Sequence, residues 1–182
     1  MYYMFLADGF EETEALVTLD MLRRAGICIK TVGVGSDMPE GTHRIKVYSD
    51  ISDADFAIDD CDGIVLPGGM PGTENLFASD VVLDAVGYCR KNSKLTAAIC
   101  AAPIILGRMG YLDGKNAVCY PGFENELSGA KISAESCVTD GDVITAKGAG
   151  CVFEFSHQII SYIVNKETAD KIIAEIQHKG LN

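Results

Sequence analysis

The chain has 182 residues, 48% of them hydrophobic and 23% charged, and its 15 basic against 26 acidic residues leave a net charge of −11. That composition is globular rather than disordered, and the length suits one domain over residues 1–182 that buries roughly two-thirds of its unfolded surface. An acidic surface repels phosphate backbones, which argues against a nucleic-acid partner, and no apolar run reaches the ~20 residues of a membrane span.

Met1 to Ala7 has the pattern of a buried strand. It meets Asp8 at once and has no basic n-region, so it does not read as a secretory signal, and a cytoplasmic protein is expected. A helix follows over Glu11 to Ala25, with Glu11, Glu12 and Glu14 in its first turn and Arg23 and Arg24 in its last, both favourable to the helix dipole. Ala15, Leu16, Leu19, Leu22 and Ala25 give it an apolar face. Gly26 ends it, and Ile27 to Val34 reads as a second strand. Residues 35 to 60 are less regular, with a hairpin or edge strand expected around Ile45 to Tyr48. Gly63 to Leu66 is a short β run closed by Pro67-Gly68-Gly69. Val81 to Arg90 reads as helix, Leu95 to Ile99 as strand, and Ala101 to Met109 as the helix after Cys100. A late strand at Val143 to Ala146 leads through Gly148-Ala149-Gly150 into helices over Val152 to Val164 and Lys166 to Lys179.

Strands alternating with helices through short Gly-rich turns predict an α/β fold, an open and mostly parallel sheet with helices on both faces. Sites in such sheets form at the carboxyl ends of the strands. Asp8-Gly9-Phe10, Pro67-Gly68-Gly69 and Ile99-Cys100-Ala101 are therefore expected to converge.

Seven cysteines, an odd count without Cys-x-x-Cys spacing, suit structural thiols in a reducing compartment better than disulfides or zinc. With only His43, His157 and His178 besides, no metal is expected. Cys100 differs from the other six. It stands where a strand turns into a helix, flanked by Ala97, Ala98, Ala101 and Ala102, as the sharp turn of a nucleophile elbow requires. A helix N-terminus there would lower its pKa. Taken alone, the position suits a structural thiol equally well. Pro67-Gly68-Gly69 would aim backbone N–H groups into a cavity, or simply make a turn that needs glycine. Of the three glutamates, two are expected on the solvated face and one in the cleft, and their spacing does not say which. Gly148-Ala149-Gly150 reads as a packing turn, and His157 as a core or rim residue.

Three stretches carry a family resemblance: Ala7 to Glu14 with Asp20 to Gly26 behind it, Val65 to Gly69, and Ala97 to Pro103. Lys147 to Gly150 with Phe153-Glu154-Phe155 extends it to nearly the whole chain. In this order and spacing the chain resembles the DJ-1/ThiJ/PfpI superfamily, in the branch of the parkinsonism-associated protein and its bacterial relatives. The resemblance implies a flavodoxin-like three-layer sandwich and a homodimer, with Cys100 on the elbow. It makes Glu14 the carboxyl that hydrogen-bonds the thiol, and Gly69 and Ala101 the amides of an oxyanion hole. It puts Asp20 and Arg24 on the dimer-facing side of the pocket and Arg44 at the cleft rim.

Two departures matter. Ala101 stands where the protease-like branch has histidine, which speaks against a peptidase. Tyr120 stands where the parkinsonism branch has a histidine near the cysteine, which leaves a Cys–Glu mechanism and puts a Cys–His dyad in doubt. Tyrosine, with its ordinary pKa near 10, is a poor base at neutral pH. What the resemblance implies is a glyoxalase or deglycase without cofactor, acting through Cys100, Glu14 and Tyr120 on methylglyoxal, glyoxal or early glycation adducts. The alternative is a redox sensor or stress-protective protein that uses oxidation of Cys100.

Overall fold

The computed structural model describes residues 1–179, and the last three residues of the domain expected over 1–182 lie outside them. In chain order the elements are β1 (Tyr2–Ala7), α1 (Glu12–Arg24), β2 (Ile29–Val34), β3 (Ile51–Ser52), β4 (Gly63–Leu66), α2 (Gly72–Phe77), α3 (Asp80–Lys91), β5 (Leu95–Ile99), α4 (Pro103–Arg108), β6 (Asn116–Ala117), β7 (Lys131–Ile132), β8 (Cys137–Asp140), β9 (Val143–Ala146), α5 (Val152–Ile163) and α6 (Lys166–Glu175).

Seven strands form one sheet in the order β3-β2-β1-β4-β5-β9-β8. Every pairing in it is parallel except β8 with β9. A parallel strand is covered on both faces, which is why β1, β4, β5 and β9 are apolar almost throughout. Alternate side chains divide between two cores. Tyr3, Phe5, Ile64, Leu66 and Ala98 face the side that α3 and α4 cover with Val82, Val86 and Ile105. Met4, Leu6, Val65, Ala97 and Ile99 face α1, α5 and α6, where Leu19, Leu22, Phe155, Ile159 and Ile172 meet them. This is the flavodoxin-like sandwich, with β1 at the point where the chain changes direction across the sheet, and clefts in such sheets open beside that point.

Several elements depart from what the sequence pattern predicts. Residues 45–48 make no strand: a single bridge joins Glu40 to Lys46, and the edge strand is β3, five residues on. α2 and β8 carry no apolar period long enough to announce them. β8 still had a signal in Asp140-Gly141-Asp142, a two-residue hairpin turn with Gly141 at φ +65°. The helix expected to start at Ala101 starts at Pro103, because Ala101 and Ala102 are consumed by a turn in which Cys100 takes φ +65°. Among the described residues no helix is long and apolar enough to cross a membrane.

Candidate active site

Three turns meet at the carboxyl ends of β1, β4 and β5. The Glu11 N–H bonds the Gly68 carbonyl at 2.9 Å and the Gly72 N–H bonds the Gly9 carbonyl at 3.1 Å, which locks the turn after β1 to the turn after β4. Gly68 then passes so close to the turn after β5 that a Cβ placed on it would lie 2.6 Å from the Cys100 Cβ and 2.8 Å from Oε2 of Glu14. Gly69, at φ +93°, would bring a Cβ to 2.4 Å from the Gly9 carbonyl oxygen. Glycine is required at both positions by close approach, and at Gly69 by conformation as well.

Cys100 sits between its neighbours under strain. A non-glycine residue at positive φ costs on the order of 1–3 kcal/mol and persists only where its surroundings hold it. Here the Cys100 N–H bonds the Ala146 carbonyl and the Tyr120 N–H bonds the Cys100 carbonyl, both at 2.8 Å. The backbone N–H groups of Ala101 and Gly69 are directed at the sulfur.

Glu14 lies one turn into α1 and is 1% exposed. The first turn is held by Glu11, whose Oε2 accepts the Glu14 N–H at 2.7 Å as an N-cap. Oε2 of Glu14 accepts the Gly68 N–H at 2.9 Å. The Cys100 thiol and the Ala149 N–H face the same carboxyl and favour its charged form. Burial pushes the Glu14 pKa up to about 7, against the pull of those hydrogen bonds. Burial and the facing carboxylate together push the Cys100 thiol up to about 12, and the amides of Ala101 and Gly69 oppose this without prevailing.

The Cys100 thiol is raised rather than lowered, which corrects the expectation of a pKa depressed by a helix N-terminus. The physical reason is twofold. The two-residue turn holds α4 away from the sulfur, and burial together with the facing carboxylate outweighs the two amide dipoles.

The expectation that two of the three glutamates face solvent also fails. Glu12 is 5% exposed and anchors the loop after β2, accepting the His43 N–H and the Thr42 hydroxyl, with His43 Nδ1 at 2.8 Å. Burial works against its charge, but those hydrogen bonds hold its pKa down at about 2. Among the described residues, Glu11, Glu12 and His43 form the one group whose ligand atoms approach within 4.8 Å of one another, as a bound cation would need. The Glu12 oxygens are already taken by Thr42 and His43.

A cavity of about 160 Å³ opens over the sulfur, lined by Gly69, Met70, Cys100, Ala101, Tyr120 and Phe123. Tyr120 is 51% exposed and forms one wall. Asp20, Arg24 and Arg44 are not among the residues around it. Asp20 and Arg24 lie further along α1, pair with each other at 2.6 Å and line a separate groove with Phe153 and Ile176. Arg44 stands at φ +65° on the exposed loop that Glu12 anchors. Sequence reasoning missed Gly148 and Ala149. A Cβ on Gly148 would stand 3.4 Å from the Tyr120 ring and 3.9 Å from both the Cys100 sulfur and Oε1 of Glu14, so this turn closes the site from behind. The only sequence signal was a second glycine-rich turn at a strand's carboxyl end. His157 is rim-like, with Nε2 at 2.8 Å from Asp170.

Comparison with known proteins places the chain in a family. The model of the DJ-1/PfpI family matches residues 2–162. Protein dj-1beta of Drosophila melanogaster is 33% identical over 172 residues, covering 93% of this chain and 92% of its own. A Caenorhabditis elegans protein described as glutathione-independent glyoxalase DJR-1.2 is 27% identical over 165 residues, covering 90% and 88%. The crystal structure of a cysteine-to-alanine mutant of a DJ-1 superfamily protein from Salmonella typhimurium superposes with a TM-score of 0.93 at 30% identity, covering 98% of both chains. With its sheet and its sequence both matching, the chain belongs to the DJ-1/PfpI family.

Proposed function

We propose that the protein is a cysteine-dependent glyoxalase that needs no cofactor and converts methylglyoxal or glyoxal to the hydroxy acid. The observation that carries the reading is a buried carboxyl, Glu14, held by the Gly68 N–H beside a cysteine at positive φ that opens onto a small cavity; burial raises that carboxyl to about 7. An acid–base group is most useful when its pKa lies near the working pH. The nematode relative described as a glutathione-independent glyoxalase supports the same chemistry.

Cys100 Sγ attacks the aldehyde carbon as its proton passes to the Glu14 carboxylate. The Gly69 and Ala101 amides stabilise the oxygen that gains charge, and Glu14 returns the proton to it, giving a hemithioacetal. Glu14 next removes the remaining hydrogen from that carbon and delivers it to the neighbouring carbon through an enediol. This leaves a thioester, and water hydrolyses it to release the hydroxy acid and the thiol. A cavity of about 160 Å³ suits a dicarbonyl of a few heavy atoms. Early glycation adducts are larger and would extend past Tyr120. Tyr120 would hydrogen-bond the ketone oxygen, so Tyr120→Phe is expected to lower kcat/KM about fivefold, the effect of losing one hydrogen bond of ~1 kcal/mol.

The test is lactate production from methylglyoxal without glutathione. Wild type should turn over many times and Cys100→Ser should lose the activity. Equal or absent turnover in both would sink the reading. The redox-sensor alternative draws on the same carboxyl, which could hydrogen-bond an oxidised Cys100.

A further inference from the structure

Two cysteines outside the site are placed thiol against thiol. Cys61 sits between a single 3-10 turn (Ile58–Asp60) and β4, and Cys89 lies in the last turn and a half of α3. Their sulfurs are 3.7 Å apart although 28 residues separate them in sequence, and both side chains are 0% exposed in the core beneath α3. Cys61 Sγ is also 3.6 Å from the Gly63 carbonyl oxygen.

Just above the pair, the carboxylate of Asp62 binds the terminal ammonium of Met1 at 2.5 Å and Lys94 at 3.0 Å. Contact with the Cys89 sulfur lowers the Cys61 thiol despite its burial, and the two cations act in the same direction. The partner sulfur and burial raise Cys89. The 3-10 turn before Cys61 has no buried residue, so Cys61 is the thiol an oxidant reaches first, with Cys89 as the resolving group beside it.

We propose that Cys61 and Cys89 form a second oxidisable site, which a hydroperoxide converts to an intramolecular disulfide joining the start of β4 to α3. The Cys61 thiolate attacks the terminal peroxide oxygen, breaking the O–O bond. The alcohol or water formed takes up a proton, and Cys61 becomes a sulfenic acid. Cys89 sulfur then attacks the Cys61 sulfur and expels hydroxide, which leaves as water with the Cys89 proton. Two thiols are oxidised and one peroxide is reduced.

The sulfurs must close from 3.7 Å to about 2.05 Å. The flanks of Cys61 can yield that distance. The 3-10 turn at Ile58–Asp60 that leads into Cys61 contains no buried residue, and segments with few buried contacts open locally at low cost. The same opening admits the peroxide. Cys61 lies at the opposite end of β4 from Gly68 and Gly69, so the crosslink is separate from chemistry at Cys100.

The experiment is peptide mapping of native wild-type protein after graded hydrogen peroxide and acid quench, digested without reductant. Expected is a peptide linking Cys61 to Cys89, lighter by two hydrogens than its parts and separated again by dithiothreitol, in most molecules at the highest dose. Folded Cys61→Ser and Cys89→Ser, checked by circular dichroism, should lack it while Cys100 still oxidises. Recovery of both residues as free thiols when Cys100 is fully oxidised would overturn the proposal. So would a sulfinic acid at Cys61 with no crosslink at any dose.

Discussion

Glu14→Gln is expected to lower kcat/KM for methylglyoxal by about 10²–10⁴, the usual contribution of a positioned acid–base group. The amide is nearly the same shape and can still accept the Gly68 N–H through its oxygen, so the loss would reflect proton transfer rather than collapse. The wild-type pH profile carries the sharper signature. If the carboxylate is the active form, activity rises about tenfold per pH unit below the Glu14 pKa of about 7 and levels off above it. The variant should lose that limb. A wild-type profile that is flat from pH 5 to 8 would show that Glu14 is not the base.

The same residue sets a pH dependence of stability, with the opposite sense to a salt-bridged carboxylate. Burial raises its folded pKa from 4.5 to about 7. Between those values the native state holds a proton that the unfolded chain has released, so stability falls as pH rises. The contribution is fully present below 4.5 and is lost through about 7, amounting to on the order of 3 kcal/mol for a shift of this size. Urea denaturation at several pH values should show this slope in wild type and its loss in Glu14→Gln.

Gly68→Ala is the second large effect. The added Cβ would meet the Cys100 Cβ at 2.6 Å, and Glu14 Oε2 and the Ile99 carbonyl oxygen at 2.8 Å each. The Ile99 oxygen belongs to β5 and the Cys100 Cβ to a turn already at positive φ, so neither can give way cheaply. Overpacking of this kind costs on the order of 2–3 kcal/mol, or roughly 5–10 °C in Tm for a domain of this size. Because the strain falls on the nucleophile and its base, activity should fall more than a hundredfold in whatever fraction remains folded. Gly87→Ala is the control, since its Cβ meets only the Tyr111 hydroxyl, at 3.3 Å on the far helix α3. Melting curves and lactate assays on both variants check the difference. A Gly68→Ala protein with full activity would refute the close approach of these turns.

The alternation of buried strands and amphipathic helices determined the sheet, because it reports burial residue by residue. Tyr3 and Phe5 against Met4 and Leu6 already name the two faces. Cys100, Glu14 and the glycine turn at Gly68-Gly69 were legible as motif positions, and their order along the chain identified the family. Some short elements were not legible. α2 (Gly72–Phe77) and β8 (Cys137–Asp140) lack the continuous apolar run that announced the equally short β4 and β9.

Protonation was beyond the sequence altogether. Glu11, Glu12 and Glu14 are identical letters in one helical turn. They become an N-cap, a loop anchor held at about 2 and a buried carboxyl at about 7 only when Gly68, His43 and Cys100 arrive from distant segments. The Cys61–Cys89 pair, its members 28 residues apart in the chain, is of the same kind. Patterning dictates which side chains are buried. Folding decides which charges and thiols are buried together, and desolvation then sets their chemistry.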